Sequence, residues 1–414
     1  MRLPEAFPVR LALIPLIAVA TLALAGCGGS SSSGSNSTPT IVNNTQPIEV
    51  NLGPLNDYPN GVFTTVTICV PGTSTCQDIP DVLVDTGSEG LRLLSSQVTL
   101  SLPGITDNSN NGLQECVGFA DGSFVWGPVV AADIKMAGEV ASSVPMQLID
   151  SSNTYSVPNT CSNGGINDNT VAALGANGIL GIGTFQQDCG SYCNSSPPPS
   201  GWYYLCPNSV CSSASVPVSY QIQNPVWLFP LDNNGVLVSL PSVPDTGAPT
   251  VSGSLIFGIG TQSDNALGSA QVYTTDASGN IQTTYNGTSY SQSFIDTGSN
   301  ANYFLDTATL GIPDCPAPYQ GWYCPASSQS YTVTNTGLNG TTGPVTLNVA
   351  NAEALFLTNS GQNAAFNNLA GDSGTDIASD YFDFGMPFFY GRDVFVGIEG
   401  MTGPGGVVGP YYAY

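Results

Sequence analysis

One four-residue phrase, Asp-Thr-Gly-Ser, stands twice in this chain, each time at the end of an apolar run. The copies are Val82-Leu83-Val84-Asp85-Thr86-Gly87-Ser88 and Ser293-Phe294-Ile295-Asp296-Thr297-Gly298-Ser299. A carboxylate that ends a buried strand must be hydrogen-bonded or chemically used, because desolvating it without partners costs several kcal/mol. A single copy reads equally as a strand followed by an Asx turn, with Gly supplying a positive φ. Two copies 211 residues apart, with the same flanks, point instead to two carboxylates in one cleft. Such a pair cannot fully ionise, so it holds one proton and serves as acid and base together. That is the chemistry of water-mediated amide hydrolysis.

Composition removes the main competitors. The chain has no His, so a Ser-His-Asp triad, a Cys-His pair and a His-ligated zinc site are excluded. Five Lys and Arg face 29 Asp and Glu, a net charge of −24, which leaves no basic patch for nucleic acid or an anionic membrane surface. Neither a metal nor any other cofactor is expected. At 41% hydrophobic residues the chain can fill a core, and its short alternating runs broken by Gly, Asn and Pro predict an all-β protein. A length of 414 residues suits two lobes.

The N-terminus reads as a targeting segment over 1–26, with Arg2 and Arg10 flanking the start and an apolar stretch from Leu11 to Ala25. Leu24-Ala25-Gly26-Cys27 resembles the lipobox of bacterial lipoproteins. That resemblance implies cleavage before Cys27 and its modification with lipid, palmitate included; an ordinary secretory signal or an uncleaved anchor is the alternative. Residues 27–46 then read as a lipidated Cys and a Gly/Ser/Asn/Thr-rich tether. Beyond residue 26 the basic residues are Arg92, Lys135 and Arg392.

Setting Cys27 aside leaves ten cysteines, an even number suited to five disulfides in an oxidising compartment. Spacing suggests Cys69 with Cys76 and Cys315 with Cys324, while Cys189, Cys193, Cys206 and Cys211 staple one loop. Cys116 with Cys161 follows by elimination, although spacing does not fix connectivity. The Cys189/Cys193 and Cys206/Cys211 spacings also admit a metal, but exported thiolates are usually oxidised.

Further segments appear in a telling order. An alternating stretch Gly61 to Ile68 and a Pro71-Gly72-Thr73 turn precede the strand into Asp85. Phe119-Ala120-Asp121-Gly122-Ser123 leads into Trp126 to Ile134, and Asn177-Gly178-Ile179-Leu180-Gly181-Ile182-Gly183 follows. In the second half come Gly253 to Gly258, an Asn286-Gly287 turn, and Phe384-Gly385-Met386-Pro387-Phe388-Phe389. The order, over about residues 47 to 414, resembles the pepsin-like aspartic proteases. The chain also resembles a set of bacterial envelope lipoproteins with the same paired motif.

The resemblance implies a bilobed double β-barrel with lobes over 47–240 and 241–414 and the cleft between them. It makes Asp85 and Asp296 the catalytic pair. Thr86 and Thr297 would cross-link the two loops, Gly87 and Gly298 would let backbone approach the inner carboxylate oxygens, and Ser88 and Ser299 would bond the outer ones. Phe119, Ala120, Asp121 and Gly122 would form the flap, and the Gly178 to Gly183 segment would cross beneath the first loop, as Phe384 to Phe389 would beneath the second. The implied activity is aspartic endopeptidase action on extended polypeptide. Location follows from the anchor, which implies lipid attachment in a bacterial envelope, and a monomer is expected. Two positions depart from the family. Where the flap usually carries a Tyr bonded to a Trp, this chain has Phe119 and Arg92; Arg92 pairs with Glu89 on the surface or else lowers a carboxylate pKa in the cleft. A catalytically inert scaffold that binds peptides or glycans is the alternative function.

Other signals carry less. Asp107 to Gly112 reads as a solvated loop more than a calcium loop, and Asp232-Asn233-Asn234-Gly235 as a turn at the lobe boundary. Trp202-Tyr203-Tyr204 and Trp322-Tyr323 fit packing around disulfides or an aromatic binding surface.

Overall fold

The computed structural model describes residues 43–152, 155–373 and 381–414. The targeting segment, Cys27 and most of the tether lie outside the described residues. In the first half the strands are β1 (Thr45–Asn51), β2 (Gly61–Cys69), β3 (Cys76–Asp85), β4 (Glu89–Leu94), β5 (Leu113–Gly118), β6 (Phe124–Met136) and β7 (Glu139–Ile149). They are followed by β8 (Gly178–Ile182), β9 (Tyr203–Leu205), β10 (Ser212–Ser213) and β11 (Gly235–Leu240). The second half adds β12 (Val251–Phe257), β13 (Val272–Thr274), β14 (Ile281–Tyr285), β15 (Thr288–Ile295) and β16 (Asn302–Phe304). It closes with β17 (Gln329–Thr336), β18 (Thr342–Val349), β19 (Ala370–Gly371), β20 (Phe382–Phe384), β21 (Arg392–Gly397) and β22 (Tyr411–Ala413).

The fold is all-β and bilobed, as the sequence predicts. Fifteen strands form one sheet in the order β10-β9-β5-β6-β7-β4-β8-β3-β2-β1-β12-β11-β21-β22-β13, and a β6–β2 pairing curls its first-half part into a barrel. The remaining seven run β18-β17-β14-β15-β20-β16-β19. The lobes join where β1 lies between β2 and β12, so the first described strand bridges both halves. The expected boundary at residue 240 falls between β11 and β12, and β1 begins inside the expected tether.

Local sequence accounts for the pattern. Thr342–Val349 alternates exposed and buried residues throughout because one face of β18 packs on the core. Val82, Leu83 and Val84 are all buried because β3 has neighbours on both edges and layers on both faces. Asn286-Gly287 joins β14 to β15 as a two-residue turn with φ of 48° and 81°, the positive pair a tight hairpin requires. A contiguous apolar core runs from Ile48 through Val84 and Ile295 to Phe388, spanning both lobes. Asn60 pins the lobes from within: its side chain donates to Asn300 O (2.8 Å) and Phe366 O (3.0 Å) and accepts from Phe366 N and Tyr390 OH.

Five disulfides are formed: Cys69–Cys76, Cys116–Cys161, Cys189–Cys193, Cys206–Cys211 and Cys315–Cys324. Tyr203 and Tyr204 pack beside Cys193 and Cys206, and Trp322 beside Cys315 and Cys324. Asp107 accepts from Ser109 N and Asn111 N in a closed loop. Asp232 is buried and receives Thr261 Oγ1 and Gln262 Nε2. It therefore anchors its turn as well as forming it.

Candidate active site

Each Asp-Thr-Gly-Ser loop is positioned by a strand that crosses beneath it. In the first lobe β8 runs parallel to β3, setting Leu83 beside Ile179 and Asp85 beside Gly181. In the second lobe β20 runs parallel to β15, setting Phe294 beside Asp383 and Ile295 beside Phe384. The equivalence extends to single bonds: Gly183 N donates to Ser88 O and Met386 N donates to Ser299 O, both at 2.8 Å. The second crossing strand is therefore Phe382–Phe384, two residues earlier than the sequence suggests, while Met386–Phe389 forms a short helix.

Between the loops the two threonines grip each other reciprocally. Thr86 N donates to Thr297 Oγ1 at 3.1 Å and Thr297 N to Thr86 Oγ1 at 3.0 Å. Each hydroxyl then donates across the interface, Thr86 to Ile295 O (3.1 Å) and Thr297 to Val84 O (2.7 Å). Both threonines are 1% exposed, so these four bonds work without competition from water.

The grip brings the Asp85 and Asp296 carboxyls together, close enough for their charges to act on each other. Their inner oxygens accept from Gly87 N (2.8 Å) and Gly298 N (2.7 Å). Glycine is required at both places: a Cβ on Gly87 would sit 2.5 Å from Asp296 Cγ, and one on Gly298 2.6 Å from Asp85 Oδ1. That same point on Gly298 lies 3.1 Å from Asp296 Oδ1, so the two inner oxygens flank it closely. Ser88 Oγ donates to the outer oxygen of Asp85, and Ser299 Oγ to that of Asp296 at 3.1 Å. Burial, then the negative charge of Asp85, pushes the Asp296 carboxyl well above the usual carboxylate range. One proton between two acids is the state this geometry favours.

A third Asp-Thr-Gly, Asp245-Thr246-Gly247 followed by Ala248, is an ordinary surface turn in which Gly247 N donates to Pro244 O. The apolar approach and the trailing Ser separate the two buried motifs from it.

Phe119, Ala120, Asp121 and Gly122 form the tip between β5 and β6. Phe119 N donates to Ser123 O, Gly122 takes φ of 85°, and Asp121 Oδ1 accepts from Ser123 N. Phe119 and Tyr58 pack on a common apolar cluster. Burial, followed by the charges of Asp296, Asp85 and Asp121, pushes the Tyr58 phenol up. Tyr58 thus stands within electrostatic reach of both the carboxyl pair and Asp121 at the β5–β6 turn.

Arg92 is not a surface partner of the Glu89 side chain, although its charge does act to lower the Glu89 and Asp188 carboxyls against the stronger effect of their burial. It is 2% exposed, its Nη1 donates to the backbone carbonyl of Glu89 (2.6 Å), and its Nη2 reaches Glu115 (2.7 Å) and Asp188 (3.3 Å). Tyr203 OH donates to the other Asp188 oxygen at 2.7 Å. Glu115 belongs to β5, so Arg92 fastens the β5–β6 hairpin to the strand leaving the Asp85 loop. Sequence reasoning missed this because both partners are distant in the chain. Glu89 itself is buried, accepts from Phe185 N, and is pushed up to about 8, chiefly by burial.

Asp383 is the other residue the sequence did not single out. It lies on β20 at 5% exposure, and its Oδ2 is hydrogen-bonded with Ser299 Oγ at 2.5 Å. Burial pushes its carboxyl well up. Among the described residues, no group of three or more His, Cys, Asp or Glu is placed to hold a metal ion.

Residues 40–414 match a family model described as a protein of unknown function, DUF3443. The chain belongs to that family. No curated protein sequence matches it. In shape it is similar to the aspartic proteinase from Irpex lacteus, with a TM-score of 0.52 and 15% identity over 89% of this chain and 96% of that one. This DUF3443 member therefore has the pepsin-like fold.

Proposed function

We propose that the chain is an aspartic endopeptidase. The observation that carries this reading is the close pairing of the Asp85 and Asp296 carboxyls, locked by the Thr86 and Thr297 grip. In the proposed reaction the ionised member takes a proton from a water held between the carboxyls as its oxygen attacks the peptide carbonyl. The protonated member donates to the developing oxyanion, and the tetrahedral diol then collapses with proton transfer to the leaving amine. Partial exposure of Asp296 supports access from the cleft. The substrate is extended polypeptide with apolar residues near the cut, given Phe119 at the flap. The N-terminal motif supports lipid anchoring in a bacterial envelope, and the disulfides fit an oxidising compartment.

One observation favours a second reading, a peptide-binding scaffold without turnover: Phe119 gives the flap no hydroxyl over the carboxyl pair. Cleavage of casein separates the two. Wild-type protein is expected to cut it between about pH 2 and 7, and Asp85→Asn or Asp296→Asn to lose on the order of 10³-fold in rate. Equal rates in either variant sink the site assignment. No cleavage by folded wild-type protein selects the scaffold.

A further inference from the structure

We propose that Asp383 is a positioning residue, a third buried acid that acts on Asp296 through the hydroxyl of Ser299. This rests on the reading of Asp85 and Asp296 as a working pair. Ser299 Oγ lies 3.1 Å from Asp296 Oδ2 and 2.5 Å from Asp383 Oδ2. One hydroxyl carries one hydrogen. If both carboxyls were ionised, one of these contacts would set lone pairs against each other. Both become hydrogen bonds when Asp383 holds a proton, donates to Ser299, and leaves Ser299 free to donate to Asp296.

The surroundings favour that arrangement. Asp383 is 5% exposed, and among the described residues its Oδ1 has no hydrogen-bond partner and no basic side chain pairs with it. A negative charge there would be expensive, whereas the Asp85 and Asp296 pair has two backbone N–H donors and two serines to stabilise one. The titratable groups around Asp383 are Asp85 and Asp296, and the phenols of Tyr303 on β16, Tyr381 beside β20 and Tyr412 on β22. Burial keeps all three phenols neutral.

The first lobe lacks this device. Ile179 stands beside Leu83 as Asp383 stands beside Phe294, so the equivalent position is apolar. Asp383 thus makes the two halves chemically unequal at this position, giving Asp296 a relayed donor that eases ionisation of the pair.

The test is the titration of Asp296 in the full chain labelled with [4-¹³C]aspartate, its signal assigned by loss in Asp296→Asn. Asp383→Leu is expected to raise the midpoint by about one pH unit, a tenfold change in proton affinity, because a donor to a charged acceptor is lost. Asp383→Asn, whose amide still donates to Ser299, should stay near wild type. Ser299→Ala should also raise the midpoint, and adding Asp383→Leu to it should change nothing more. If Asp383→Leu does not fold, Ser299→Ala and Asp383→Asn carry the test. A midpoint lowered in both Asp383 variants shows that Asp383 acts as a charge, which overturns the relay, and so does a midpoint unmoved in all variants. Because no substrate is present, the shift without casein cleavage rejects the peptidase and keeps the relay, while cleavage with an unmoved midpoint does the reverse.

Discussion

Glu89 directly follows Ser88, and its burial has a measurable result. With its folded pKa pushed to about 8 from an ordinary 4.5, the folded state keeps a proton that the unfolded chain gives up. The resulting stability is complete below about pH 4.5 and is lost as pH rises toward 8, on the order of 3–5 kcal/mol. Glu89→Gln has no proton to lose. Urea unfolding at pH 5 and pH 8 should therefore show a smaller drop for Glu89→Gln than for wild type, and equal drops would refute the buried-acid account. Residue chemistry of this kind was only half legible. The Asp85 and Asp296 loops declared themselves by apolar approach and trailing Ser, but Asp383 sits in the aromatic run Tyr381 to Phe389, where a lone acid has no periodicity to reveal its partner.

Among the elements, the hairpin of β5 and β6 differs most from the sequence-based picture. Its turn lies between β5 and β6 because Asp121-Gly122 supplies the turn chemistry locally. What holds its base is long-range and was illegible: β9 adds to β5, Cys116 is bonded to Cys161, and Arg92 reaches Glu115. Removing Arg92 strands Glu115, which is 0% exposed, and Asp188, which is 4% exposed, without their cation. Arg92→Leu should cost about 3–5 kcal/mol in urea unfolding. Hydrogen exchange should rise first at Leu113–Gly118 and Tyr203–Leu205. A loss under about 1 kcal/mol would mean that the disulfide and strand pairing suffice alone.

The whole molecule inverts the usual response to acid. Beyond residue 26 only Arg92, Lys135 and Arg392 are basic, so protonating carboxylates relieves repulsion and cannot create a polycation. Burial raises Glu89, Asp188, Asp296 and Asp383, so the folded state binds more protons than the unfolded one, and stability falls as pH rises through those values. Asp107 and Asp306 act in the opposite sense, but both are lowered by exposed loop and cap hydrogen bonds. The thermal midpoint at pH 4 should be at least as high as at pH 8. A clear fall between pH 7 and pH 4 would show that carboxylate hydrogen bonds outweigh net repulsion.

The bridging position of β1 also governs how this chain can be made. Synthesis delivers β1 and β2 early, but the other flank of β1 is β12, which does not exist until Phe257 has been added. Until then the nascent first half carries an open strand edge beside apolar Ile48 and Val50, a template for pairing with a neighbouring chain. A gene cut between the lobes would leave that edge open permanently, so each half is expected to aggregate when expressed alone and to become soluble when both are produced together.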